Sequence, residues 1–215
     1  MQIGVLGGTG PAGSGLAARL ASAGFDVVIG SRSKYRALEI RDKLFEKWEE
    51  KNLSLTAGDN EAAARSDIVV VATPWDAAAS TVAEVAPQLK GKVVIDTGNP
   101  YPQRDGAMAD DARARGTGVT SKAYLPGTRL VRAFNAIKWT DLRDASNRAG
   151  ARAGIPIAGD DAAALKVAAG LIRDAGFDAV VVGDLSQARR FDVDTSVYVK
   201  LMSAAELKAE LKLPD

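Results

Sequence analysis

The sequence predicts an α/β fold: a doubly wound parallel sheet of the Rossmann type with a small C-terminal α/β lobe. Short runs rich in Val and Ile alternate with Ala-rich helical stretches, a glycine-rich turn joins the first run to the first helix, and the alternation resumes after a loop-rich middle section. Neighbouring parallel strands need long crossovers, and helices between the runs supply them on both faces of a sheet.

In order, the expected strands are Ile3–Leu6, Asp26–Ile29, Leu53–Thr56, Asp67–Thr73, Lys92–Asp96 and Leu130–Phe134, each short and bounded by turn residues. The first helix follows Gly13: Ala12, Leu16 and Leu20 recur every fourth position, and Gly24 sits where a left-handed C-terminal cap belongs. Leu38 to Lys51 is a charged amphipathic stretch with Leu44, Phe45 and Trp48 for one face, which reads as a surface helix. Gly98 to Gly127 is rich in Gly, Pro and Asp and reads as a long irregular connection holding one short helix, Met108 to Ala114. Such a connection inside a compact domain often carries function.

Beyond Gly150 the pattern gives a strand at Ile155–Ala158, a helix at Asp160–Ala175 opened by two acidic residues at its positive end, and a strand at Ala179–Val182. Val193–Lys212 reads as mostly helical, with Val197, Leu201 and Leu207 available to cap the first domain or to mediate a homodimer. The expected division is a dinucleotide-binding domain over residues 1–150 and a small C-terminal domain over 151–215.

Composition narrows the chemistry. With 47% hydrophobic and 26% charged residues in 215, the chain has the balance of a globular protein large enough to bury a sizeable core. Lys plus Arg number 28 against 27 Asp plus Glu, so no global field favours nucleic acid or an anionic membrane, and neither is an expected partner. The absence of Cys and His excludes disulfides, thiolate and His-based catalysis, and most zinc chemistry. No metal site is expected, and a bound cofactor is the economical source of reactivity. The opening Ile3–Leu6 run lacks a basic lead-in, so it reads as neither signal peptide nor spanning helix, and a cytoplasmic location is expected.

The segment Gly7-Gly8-Thr9-Gly10-Pro11-Ala12-Gly13 follows an expected strand and opens an expected helix, the context that turns a glycine pattern into a phosphate site. Gly8 and Gly10 let the backbone turn tightly and approach a pyrophosphate, Gly13 lets helix and strand pack closely, and the free N–H groups attract the phosphates. About 20 residues on, where an NAD-preferring chain carries an acid on the adenosine ribose, this sequence has Gly30-Ser31-Arg32-Ser33-Lys34. A carboxylate there would repel a 2′-phosphate. Ser31 can donate to one, and Arg32 can present a planar fork, which selects NADP(H). Lys34 and Arg36 are weaker candidates for the same group.

Ligands of doubly wound sheets sit beyond the carboxyl ends of the strands. The residues there are Thr73, Pro74 and Trp75 after the fourth strand, Thr97, Gly98 and Asn99 after the fifth, and Asn135 after the sixth. The short polar groups suit a nicotinamide ribose and carboxamide, and Trp75 offers a flat wall to a ring; local turn chemistry explains the same residues equally well. No residue is assigned as catalytic. Lys138, Tyr101 and Tyr124 are the available proton donors if the reaction needs one.

At these residues the sequence resembles the coenzyme F420-dependent NADP oxidoreductase family, including the bacterial NADPH-dependent F420 reductases. The matching segments are Ile3–Gly13, Val27–Arg32, Ser66–Trp75, Asp96–Gly106, Leu125–Ile137 and Ile155–Asp161. The resemblance implies hydride transfer between the nicotinamide of NADP(H) and a deazaflavin, held in a cleft between a Rossmann domain and a small C-terminal domain. It implies that Thr9, Gly10, Ser31, Arg32 and Arg36 hold the adenosine end, that Thr73 and Pro74 lie beside the nicotinamide, and that Trp75 lies near the stacked rings. Two other readings stand beside it: an NADPH-dependent reductase of a small carbonyl or imine, and a non-catalytic NADP(H)-sensing module.

Overall fold

The computed structural model describes residues 1–48 and 52–214. Eight strands form one sheet in the order β3-β2-β1-β4-β5-β6-β7-β8. The strands are β1 (Gln2–Leu6), β2 (Asp26–Ser31), β3 (Leu55–Asp59), β4 (Ile68–Val71), β5 (Val93–Asp96), β6 (Arg129–Arg132), β7 (Gly154–Gly159) and β8 (Asp178–Gly183). The first six are parallel, and their order is the doubly wound one expected from the sequence. The order reverses between β1 and β4, which opens a crevice beyond the carboxyl ends of those strands.

After β6 the sheet changes sense. β7 pairs antiparallel with β6 through Val131↔Gly159 and Arg132↔Ala158, and β8 then runs parallel to β7. β7 and β8 therefore continue the same sheet at its edge.

The helices are α1 (Pro11–Ser22), α2 (Lys34–Lys47), α3 (Asn60–Ala64), α4 (Trp75–Glu84), α5 (Ala86–Leu89), α6 (Pro102–Asp105), α7 (Ala107–Arg115), α8 (Thr117–Tyr124), α9 (Asp141–Asp144), α10 (Ala162–Asp174) and α11 (Ala204–Glu210). Strand residues alternate between two cores. Ile3 and Val5 pack with Leu16 and Leu20 of α1, while Leu6, Val69 and Val94 pack with Ala63 and Val82 on the opposite face. Gly4 belongs to that second face, where an added Cβ would lie 1.8 Å from the Ala63 carbonyl oxygen, so α3 can approach β1 only over a glycine.

Several boundaries depart from the sequence reading. α2 begins at Lys34 rather than Leu38, because Ser33 caps it by accepting from the Arg36 N–H. The far end of the expected helix, residues 49–51, lies outside the described residues. In the connection over 98–127 the expected helix Met108–Ala114 is α7, but α6 and α8 flank it where irregular chain was expected, and the three are divided at Gly106 and Gly116, where φ is +55° and +93°. The Val193–Lys212 stretch is helical only over α11, which opens on a reciprocal Ser203–Glu206 capping box. Asp194 and Val199 adopt positive φ, which stops a helix from forming earlier. Val197 and Leu207 are buried against β8, whereas Leu201 is exposed.

A buried ionic cluster fastens the loops to the carboxyl end of the sheet. Asp96 and Arg132, the last residues of β5 and β6, are register partners with fully buried side chains. Arg132 Nη1 donates to Asp96 Oδ2 at 2.8 Å and Nη2 to Asp192 Oδ1 at 3.3 Å. Burial opposes its charge, but Asp96 and Asp192 outweigh burial and hold the guanidinium above its ordinary range. Ser121 of α8 donates to Asp96, and Thr117 donates to Asp192 at 2.6 Å. Replacing Arg132 with Met would leave two carboxylates without their cation, at a cost of about 3–5 kcal/mol. Urea unfolding should show that loss, and an unchanged midpoint would refute the role assigned to the cluster.

Candidate functional site

The glycine turn sits at the crevice. Gly7 has φ +67°, and a Cβ on it would lie 2.7 Å from Thr73 Cγ2; a Cβ on Gly13 would lie 2.9 Å from the Gly7 carbonyl. Both positions therefore exclude side chains for steric reasons. A Cβ on Gly10 would have nothing nearer than 3.9 Å, so that residue borders open space. α1 starts at Gly10-Pro11 with no side-chain cap, which leaves its first-turn N–H groups and positive dipole end facing the cleft that Ala12 and Gly13 line. Asn60, at the start of α3, steadies the turn by accepting from the Gly7 N–H at 3.3 Å.

One open cleft of about 570 Å³ runs along the carboxyl ends of the strands. Fifteen of the residues singled out from sequence line it: Gly7, Thr9, Gly10, Pro11, Ala12, Gly13, Ser31, Arg32, Arg36, Thr73, Pro74, Thr97, Gly98, Asn99 and Tyr101. At its β2 end, Ser31 accepts from the Ser33 N–H and Arg36 pairs with Glu39 at 2.7 Å, whereas the Arg32 side chain has no partner among the described residues. The Arg32 guanidinium is thus available to an anion.

At the β5 end the lining is mostly uncharged, and the guanidinium there, Arg104, is already paired with Asp105 at 2.7 Å. Thr73 is 8% exposed, and its hydroxyl has no hydrogen-bond partner among the described residues. The Asn99 side-chain oxygen is likewise buried and unpartnered, while its nitrogen donates to the Asn135 carbonyl at 2.8 Å. Buried polar atoms rarely stay unpaired, so these two mark positions where a ligand or water completes the bonding.

Other singled-out residues lie elsewhere. Gly8 is buried behind the turn, its N–H bonded to the Gly30 carbonyl at 2.9 Å. Trp75 is 4% exposed and does not line the cleft. It opens α4 with its ring edge-on to Tyr124, 6.2 Å between centroids, and beneath Gly98, where a Cβ would come within 3.2 Å of the indole. Asn135 is buried and donates to the Phe191 carbonyl at 3.2 Å. Lys138 is exposed and outside the lining, and Lys34 is exposed at the start of α2. Tyr124 belongs to the ionic cluster, where burial first and then Asp96 push its phenol above the ordinary range. Of the three proton-donor candidates, Tyr101 alone lines the cleft.

Sequence reading missed Asn60, Ala72, Ala77, Thr81 and Arg104. Asn60 directly follows β3, so the strand-end rule reaches it once that strand is placed at Leu55–Asp59. Arg104 comes from α6, inside the segment read as irregular, and no local motif announces it.

Comparison with known proteins adds sequence support. Residues 2–100 match the family described as NADP oxidoreductase, coenzyme F420-dependent. The F420-dependent NADP reductase of Methanothermobacter thermautotrophicus is 34% identical over 208 residues, covering 94% of this chain and 89% of the relative. A solved Arthrobacter protein, described provisionally as an F420-dependent NADP reductase, is 27% identical with a TM-score of 0.73, over 87% of this chain and 86% of that one. A hypothetical protein from Sinorhizobium meliloti shares the fold, with a TM-score of 0.75 and 22% identity over 94% of each chain. The 34% identity to the Methanothermobacter reductase over 94% of this chain shows that the chain belongs to the coenzyme F420-dependent NADP oxidoreductase family.

Proposed function

We propose that this protein transfers a hydride between NADP(H) and a deazaflavin, coenzyme F420 or a similar flat redox carrier. The observation that carries the reading is one cleft whose lining changes along its length: bare helix N–H groups at the turn, an unpartnered guanidinium at one end, unpartnered neutral polar atoms at the other. A dinucleotide phosphate has that sequence of chemistry, from a doubly charged phosphate through a pyrophosphate to an uncharged carboxamide.

The residues fit the ligand. Gly7, Gly8, Thr9, Gly10, Pro11, Ala12 and Gly13 shape the turn, and the open space at Gly10 suits a pyrophosphate on a helix N-terminus. Ser31, Arg32 and Arg36 would hold the 2′-phosphate, and Thr73, Pro74 and Asn99 the nicotinamide end. Trp75 and Asn135 would act from beneath as supports of Gly98 and Asn99. Bound NADPH supplies the hydride. The protein's part is to align two ring systems and exclude competing acceptors, work that needs no acid or base of its own.

We further propose a cytoplasmic homodimer, with a dinucleotide domain over 1–150 and a smaller domain over 151–215. Among the described residues no helix is long and apolar enough to cross a membrane. Val181 on edge strand β8 and Leu201 in the tail, 52% and 44% exposed, supply apolar surface for self-association. A monomer in sedimentation analysis at micromolar concentration would remove the dimer.

Arg32→Ala should raise the Kd for NADPH by roughly tenfold to a hundredfold while leaving the weaker NADH affinity nearly unchanged. Calorimetry with both ligands checks this, and equal effects on the two would defeat the phosphate assignment. Mixing the protein and NADPH with oxidised coenzyme F420 should bleach both chromophores in stopped flow. Tight NADPH binding without bleaching would overturn the deazaflavin as acceptor.

A further inference from the structure

The side-chain nitrogen of Asn99 begins a chain of hydrogen bonds running from the β5 end to the C-terminal tail. Asn99 Nδ2 donates to the Asn135 carbonyl at 2.8 Å and to the Tyr198 hydroxyl at 3.4 Å. A carbonyl can only accept, so the first bond fixes which end of the amide is nitrogen, and both amide hydrogens are used. The Tyr198 hydroxyl is bonded in turn to that of Tyr101, which lines the cleft beside Asn99 and Arg104.

Two phenols bonded to each other carry two hydrogens, and their mutual bond uses one. Asn99 donates to the pair and consumes neither. One hydroxyl hydrogen is therefore left over, and no acceptor takes it among the described residues. The bond between the two phenols can run in either direction, and the direction in which Tyr198 donates leaves the spare hydrogen on Tyr101, the phenol at the cleft. Burial, reinforced by the bond to Tyr101, raises the Tyr198 phenol above its ordinary range, so it stays protonated at neutral pH.

The surroundings hold this pair firmly. The Tyr101 N–H donates to Asp105 Oδ2 at 2.7 Å, and the Arg104 guanidinium lies 5.0 Å from the centre of the Tyr101 ring while donating to the Asn99 carbonyl at 2.8 Å. Phe134 and Val199, adjacent to Asn135 and Tyr198, have φ of +60° and +50°. For a β-branched residue such as Val199 that conformation is strained and persists only where the neighbourhood enforces it, a condition that clusters at functional sites. The Val199 N–H bond to the Ala136 carbonyl at 2.9 Å is part of that enforcement.

Building on the hydride-transfer reading above, we infer that Tyr101 is the hydrogen-bond donor to the second substrate and that Tyr198 is the positioning residue that aims it. When a hydride reaches the acceptor carbon, a C–H bond of the dihydronicotinamide breaks and one forms on the acceptor, whose displaced electron pair moves to a ring nitrogen or oxygen. The Tyr101 hydrogen bond meets the charge developing there, and the proton that completes the reduction comes from water.

The test uses the full chain, with deazaflavin fluorescence reporting the affinity of oxidised coenzyme F420 for the protein–NADP⁺ complex and stopped flow reporting hydride transfer from NADPH. Tyr101→Phe keeps the ring beside Arg104. It should leave NADP⁺ affinity within about twofold, weaken F420 binding roughly tenfold, and slow hydride transfer by roughly tenfold to a hundredfold. Tyr198→Phe should produce a smaller loss of the same kind, and the double variant should be no worse than Tyr101→Phe alone, because the two hydroxyls act as one unit. Additive losses, or a Tyr101→Phe protein equal to wild type in both measurements, overturn the inference. A wild-type protein that binds NADPH but neither binds nor reduces F420 overturns the underlying functional reading, and this inference with it.

Discussion

The bond between Arg132 and Asp96 sets the geometry on which the cleft depends. The two residues face each other across β5 and β6 at the last step of the parallel sheet, fully buried. A slip of one residue in either strand would turn one of the charges to the other face, so the pair fixes register as well as attraction. Asp192 on the other side of Arg132 brings in the C-terminal tail, and Ser121 and Thr117 bring in α8. Asp96 also accepts from the Gly98 N–H at 2.9 Å, which sets the path of the backbone toward Asn99. Such a cluster adds little net stability, because desolvating three charges costs about as much as their attraction returns. Its effect is to join β5, β6, α8 and the C-terminal tail at one buried point.

Division of labour along the cleft follows from physics that differs at each end. Backbone N–H groups at α1 require that side chains be absent, which is why Gly7 and Gly13 meet neighbouring atoms at contact distance. Discrimination of a 2′-phosphate requires the opposite, a charged side chain left without a protein partner, and Arg32 is that residue while Arg36 is already paired with Glu39. The β5 end uses groups whose bonding is left incomplete, Thr73 and Asn99. A complementary ligand can complete the bonding of both.

The glycine turn was legible because it is local: strand, turn and helix are contiguous, and the steric demands act between residues close in sequence. The same holds for Ser31 and Arg32, which end a strand. Trp75 illustrates the limit. Its position at a strand end is correct, but the direction of its side chain depends on Tyr124 and Gly98, distant in sequence, and the indole turns under the backbone. Of the helices between Pro102 and Tyr124, α7 was legible as Met108–Ala114, whereas α6 and α8 were not. Both are short, and α8 is held by Asp96 and Asp192 more than by its own periodicity. The tail over 193–202 looks helical by composition, yet Asp194 and Val199 take positive φ and the Val199 N–H is drawn to the Ala136 carbonyl across the fold.

Absence of His, read at first as a restriction on chemistry, becomes in the structure a statement about how the site works. A reaction whose electronics reside in two ring systems needs a vessel that holds them still and presents a constant pattern of donors and acceptors. Amides and phenols provide such a pattern. The Asn99 amide is locked by a carbonyl that can only accept, and Tyr198 is kept protonated by burial. Neither group switches role as pH moves through neutrality. The strained backbone at Phe134 and Val199 places these groups, and the Asp96–Arg132–Asp192 cluster holds the segments on either side of that strain. Rigidity at one buried ion cluster is thereby passed, through neutral hydrogen bonds, to the atoms at the wall of the cleft.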